Sequence, residues 1–168
     1  GLSVFVQQGI TFTVAGNNYS AGNVQVAARF DANLLLTDAR LKVANFPDDP
    51  EAALRYGLLN LRMGDRVEAQ KWLQKAFALA SKAPVNSRVQ SLAGRVLVSI
   101  SLESCDAQIR LGKFLEALGH VEVARGYATL PTQLTECFVR QELCLLKRSE
   151  GAALRRLYQD LIDTDPPF

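Results

Sequence analysis

His120 is the single imidazole in the chain, so any nucleophile–histidine pair or histidine-containing zinc site would have to be built around it. The signatures that put such a residue to work are absent: the chain holds neither a GxSxG elbow nor an HExxH helix. Phosphate chemistry has no cradle, because neither GxGxxG nor GxxxxGK[ST] occurs. His120 sits in mid-helix on the face opposite Ala117, Val121 and Ala124, and is read as a solvated surface residue. The carboxylate pair Asp48-Asp49 could serve as acid and base. It stands between Pro47 and Pro50, however, where helix capping accounts for it.

The other reactive side chains are Cys105, Cys137 and Cys144, an odd number without a CxxC pair. That usage fits a reducing intracellular compartment, most simply the cytoplasm, with the thiols acting as small apolar residues. Cys137 and Cys144 are seven residues apart, two helical turns, and should line one stripe of one helix. No metal site, cofactor or catalytic group is expected from these residues.

Lys147, Arg148, Arg155 and Arg156 form a basic patch near the C-terminus. Glu150 and Asp160 offset it, and no aromatic residues interleave to stack bases, so a solvated helix face is the first reading. The net charge of +2 asks for no polyanion, and no apolar run reaches the length of a membrane span. GLSVFVQQG has neither the basic start nor the long apolar core of a signal peptide. Asn18-Tyr19-Ser20 matches a glycosylation sequon, which the cysteine usage argues against using.

The elements around these residues follow from periodicity. SVFVQQGITFTV, residues 3–14, alternates with strand period and predicts a short hairpin or extended arm, followed by loop chemistry in AGNNYSAGN. That arm should either lie across the first helices or add to a partner's sheet. From Val24 the period becomes helical, with Ala28, Leu35, Leu36, Ala39 and Val43 on one stripe as far as Ala44. Further helices are predicted over 50–62, 67–80, 85–111, 114–128, 133–147 and 150–163, punctuated by Pro50, Gly64, Pro84, Gly112 and Pro131. Thr132 is the expected cap of the sixth, and Asp-Pro-Pro-Phe a frayed tail. The division is therefore an arm and loop over 1–22 and a helical domain over 23–168. With 48% hydrophobic residues, that domain has enough apolar side chain for a core.

The helical part repeats itself. Met63–Ala76 reads MGDRVEAQKWLQKA, and Leu111–Ala124 reads LGKFLEALGHVEVA, with Ala69 and Ala117 forty-eight residues apart. PEAALRYGLLNLRMGDRVEAQKWLQKAFALA resembles a tetratricopeptide repeat (TPR). Small Gly57 stands where the first helix must approach its neighbour, and Ala69 and Ala76 flank Leu73 in the second. SLESCDAQIRLGKFLEALGHVEVA keeps the pattern with Cys105, Ala117, Val121 and Ala124. The third unit keeps Ala153 and Leu157 but has Asp160 in a small-residue position and no glycine in its turn. Ala32, Leu36 and Ala39 fit the second helix of an earlier, degenerate unit. The spacing exceeds the family's roughly thirty-four residues, so the helix after Pro84 is lengthened.

The resemblance implies a mainly α, TPR-like solenoid of antiparallel helix hairpins that binds protein partners. It implies a non-catalytic scaffold or adaptor subunit of a larger assembly, with no small-molecule substrate. It places Leu54, Leu58, Arg62, Leu102, Asp106, Arg110, Phe138, Glu142 and Leu145 along the concave groove. Family members that clamp a peptide carboxylate use Lys and Asn where this chain has Leu54 and Leu58, so an apolar or amphipathic segment is the expected occupant. The alternative is a ribonucleoprotein or nucleic-acid subunit using the basic patch, which steep salt dependence would reveal. Trp72 is expected to pack between helices rather than meet a partner.

Overall fold

Proline and glycine punctuation sets the helix ends. In the computed structural model, the backbone of residues 12–14, 17–19 and 24–164 is described, with side chains from residue 32 to 164. The described chain is mainly helical: α1 (Val24–Asn45), α2 (Pro50–Arg62), α3 (Arg66–Ala80), α4 (Ser87–Arg110), α5 (Phe114–Tyr127), α6 (Pro131–Lys147) and α7 (Gly151–Asp163). A 3₁₀ turn, Pro84–Asn86, precedes α4. Two three-residue strands, β1 (Phe12–Val14) and β2 (Asn17–Tyr19), pair antiparallel with Phe12 opposite Tyr19. The pairing therefore runs forward, into the stretch read from its asparagines as loop. Ladder pairing outweighs the low strand propensity of Asn17 and Asn18. The expected strand residues 3–11 and the tail 165–168 lie outside the described residues.

The chain divides into two compact units, Gly1–Leu79 and Ala80–Phe168. In the first, Ala39 and Val43 of α1 bury against Ala52 and Tyr56 of α2, with Leu36, Leu59 and Trp72 around them. Asp49 caps α2, its Oδ1 accepting the Glu51 N–H at 3.0 Å, and Pro50 occupies a position where its missing N–H costs nothing. Asp65 does the same for α3, accepting the Glu68 N–H at 3.0 Å. Helix α3 presents Ala69, Leu73 and Ala76, all fully buried. A Cβ on Gly57 would lie 2.9 Å from Leu73 Cγ and 3.1 Å from the Leu73 backbone nitrogen, so only glycine admits this approach of α2 to α3.

Trp72 is half-buried rather than enclosed. Its indole N–H donates to Glu68 Oε2 at 2.9 Å, its ring meets Tyr56 edge-on at 5.2 Å, and Lys75 Nζ stands 5.0 Å over it. These contacts use both its apolar face and its polar handle within one unit.

In the second unit α4, α5 and α6 share a core of Val98, Leu102, Cys105, Ala117, Val121, Ala124, Cys137 and Cys144. Cys137 and Cys144 share the buried stripe of α6. The repeat lengthens because α4 has 24 residues where α2 has 13. Helix α6 opens two residues earlier than its periodicity suggested. Pro131 is its first residue, and Gln133 Oε1 accepts the backbone N–H groups of Thr129 (2.9 Å) and Leu130 (3.0 Å). Gln133 therefore does the work expected of Thr132. A long side chain reaching back satisfies two donors, where a threonine one residue inside the helix would satisfy none of them.

The turns α2–α3, α4–α5 and α6–α7 share one hydrogen-bond pattern. Gly64, Gly112 and Ser149 adopt positive φ of 85°, 71° and 57°. Their N–H groups bond to Leu61, Ile109 and Leu146, and the following N–H groups of Asp65, Lys113 and Glu150 bond to Asn60, Gln108 and Leu145. Each is a Schellman closure followed by a new helix. The third unit thus keeps the turn while lacking its glycine, and Ser149 sits where L residues are strained. Counted from this turn, Leu154 stands where Ala69 and Ala117 do, but the buried residue of α7 is Leu157, as the register through Ala153 and Leu157 expected. Ser149→Gly should stabilise the protein by about 0.5–1 kcal/mol, removing left-handed strain at the cost of unfolded-state entropy. A urea midpoint that does not rise would contradict the strained-turn assignment.

Candidate partner groove

Helices α1 and α2 form an open groove of about 590 Å³. Leu35 of α1 and Leu54, Leu58, Leu59 and Leu61 of α2 supply its apolar surface, and Asp38, Glu51, Arg55 and Arg62 its charges. Helical geometry explains the set. Glu51, Arg55, Leu58 and Arg62, spaced four, three and four, fall on one stripe of α2. The opposite stripe, with Ala52, Tyr56 and Asn60, is buried. Of the residues expected along the groove, Leu58 and Arg62 line it beside Leu35 and Asp38, while Leu54 forms its floor and is buried, 7% exposed. Leu35 was read as part of the α1 core stripe but is 50% exposed. Leu34, Leu35 and Leu36 follow one another about 100° apart around the helix, so all three could never face one core. That run was the available signal.

The corresponding residues of the second unit are engaged within it. Leu102 and Leu145 are buried. Asp106 receives a two-pronged hydrogen bond from Arg140, Nε to Oδ1 at 2.7 Å and Nη2 to Oδ2 at 2.9 Å. Arg140 Nη1 also donates to Glu136 Oε2 at 2.6 Å. The Tyr158 hydroxyl donates to the Glu142 carboxylate, and the Tyr158 ring stands 6.1 Å from that of Phe138. Only Arg110, at the end of α4, is exposed. Here the helices close on one another with polar links where α1 and α2 leave an apolar channel.

The Asp106–Arg140 link carries a pH dependence. The Arg140 hydrogen bond holds the Asp106 carboxyl below its ordinary range. A carboxyl depressed by folding contributes stability that is complete above its unfolded pKa of about 4 and drains as pH falls through the folded value. Asp106→Asn should cost about 1 kcal/mol at neutral pH, a partly exposed charge-assisted pair. The difference from wild type should shrink below pH 4 in urea titrations; a gap that persists unchanged at pH 2–3 would contradict the ion pair's role.

The remaining chemistry-bearing residues are dispersed. The Lys147, Arg155 and Arg156 side chains are exposed at the end of α6 and on α7, and the Arg148 guanidinium is bound by Glu150. Arg156 and Asp160 line a separate cleft between α5, α6 and α7 with Glu122, Arg125 and Gln141. His120 is half-buried rather than solvated, because position 120 lies only about 40° around α5 from Ala124. The three cysteines are free and buried. Burial pushes the Cys105 thiol up to about 11, with Cys144 and Asp106 adding to the effect, and raises the other two thiols as well. They are neutral at physiological pH. Among the described residues no group of three His, Cys, Asp or Glu could hold a metal ion, and no helix is long and apolar enough to cross a membrane. Compared with known proteins, the chain matches no family model and no curated protein sequence.

Proposed function

We propose that this chain is a TPR-like protein-interaction subunit that seats an apolar or amphipathic segment of a partner in the α1–α2 groove. One observation supports the reading above the others: a groove lined by five leucines, with Leu35 half exposed to water at its edge. Burying such a surface against a partner helix is favourable at roughly 25 cal/mol per Å² of apolar area. The repeated helix–Schellman turn–helix unit, with small residues at the α2–α3 and α4–α5 contacts, fits the helical-repeat reading. A scaffold role needs no catalytic residues, and a rigid pair of helices suits helix-in-groove recognition.

The test is quantitative affinity purification with wild type and with Leu35→Asp/Leu58→Asp. Circular dichroism melts serve to show that the variant remains folded. Proteins whose recovery collapses with the variant would be groove partners. Identical partner sets from the two forms would refute the reading, as would turnover of a small substrate by the purified chain without any partner.

A further inference from the structure

We propose that the occupant of the α1–α2 groove is a partner helix whose apolar stripe carries an acidic residue one turn to either side of its central apolar anchor. This deepens the groove reading and rests on it. The exposed stripe of α2 reads, from its N-terminal end, Glu51, Arg55, Leu58, Arg62. Leu58 is half-buried among Leu54, Leu59 and Leu61, so it marks the place where an apolar side chain would seat. Arg55 lies three residues before it and Arg62 four after, a rise of about 4.5 Å and about 6 Å along the axis.

Neither arginine has a carboxylate within ion-pair distance among the described residues. The ion pairs formed by Glu68, Asp106, Glu136 and Glu150 all use other cations. Two unpaired guanidinium groups therefore bracket one apolar seat. A helix lying along α2 meets them with carboxylates spaced one turn before and one turn after its anchor, the same spacing that joins i, i+3 and i+4 neighbours. The acidic pattern stops at Arg55, because Glu51 stands one turn beyond it on the same stripe. A neutral or basic residue belongs at that end, which gives the bound helix a direction.

Fluorescence anisotropy with designed peptides tests this on the full chain. Three labelled eighteen-residue helical peptides share one scaffold. The first has a leucine stripe with Glu at the two flanking positions, the second has Lys there, and the third has Glu flanks with its leucines changed to Ser. The acidic-flank peptide should bind about five- to tenfold tighter than the basic-flank peptide at low salt, as two partly exposed ion pairs allow. The gap should close near 0.5 M salt. Arg55→Glu/Arg62→Glu, at two exposed positions, should reverse the preference. Equal binding of the first two peptides with loss of the Ser peptide overturns the acidic-flank inference and leaves the groove reading standing. Equal binding of the Ser peptide, or no binding by any peptide at millimolar concentration, overturns both.

Discussion

Gly57→Leu is expected to cost about 3 kcal/mol or more, the upper end of overpacking penalties. The reason lies in the α2–α3 contact. Even the first carbon of a side chain at position 57 would stand 2.9 Å from Leu73 Cγ and 3.1 Å from both Leu73 Cδ2 and the Leu73 backbone nitrogen. The leucine tip could rotate away, but the backbone nitrogen can move only with α3 itself. Ala69 and Ala76, one turn either side of Leu73, are fully buried and hold α3 in place. A larger side chain must therefore wedge two helices apart and expose Trp72 and Tyr56 along with them. Thermal melting measures the loss. An unchanged midpoint would mean that α2 and α3 do not meet at Gly57.

The second large effect is Leu73→Ala, expected to cost about 3 kcal/mol within the 2–5 kcal/mol range of buried leucine truncations. Leu73 has no exposed surface, and its neighbours Ala69 and Ala76 offer no long side chain to fill the cavity. The two positions should be coupled. Removing Leu73 Cγ and Cδ2 relieves the closest contacts of an added Cβ at 57 but leaves the backbone nitrogen. Gly57→Ala should accordingly cost less in the Leu73→Ala background than in wild type, with a coupling of about 1 kcal/mol. Strict additivity in a double-mutant cycle would contradict the packing described here.

The helices were legible in the sequence because their ends are written by local chemistry. Pro50, Gly64, Gly112 and Pro131 act within a few residues of themselves, and the boundaries of α2 and α5 follow from them almost to the residue. What escaped the reading is either non-local or breaks a local preference. The Asp106–Arg140 pair joins residues 34 positions apart, and no periodicity links them. Ser149 takes a backbone conformation that its side chain disfavours, because the Schellman hydrogen bonds from Ser149 and Glu150 hold it there. Gln133 caps from inside its helix, where a short polar residue outside was sought.

The site was legible in part, for the same reason. Leu54, Leu58 and Arg62 share one face of one helix, so spacing alone groups them. Leu35 and Asp38 join them only through the packing of α1 on α2, and Leu35 had been assigned inward by a stripe that its neighbours Leu36 and Ala39 satisfy without it. In the second unit the same carry-over selected Asp106 and Glu142, whose carboxylates accept from Arg140 and Tyr158. A spacing rule cannot tell an exposed carboxylate from one already bonded to the next helix.

The most direct measurement of the central claim is site-specific photocrosslinking in the protein's own cells. A photoreactive phenylalanine analogue is placed at Leu58 in one variant and at Arg155, on the exposed face of α7, in another. The groove account predicts discrete covalent adducts with a partner protein from position 58 and none from position 155. Adducts from 155 alone, to protein or to RNA, would contradict it.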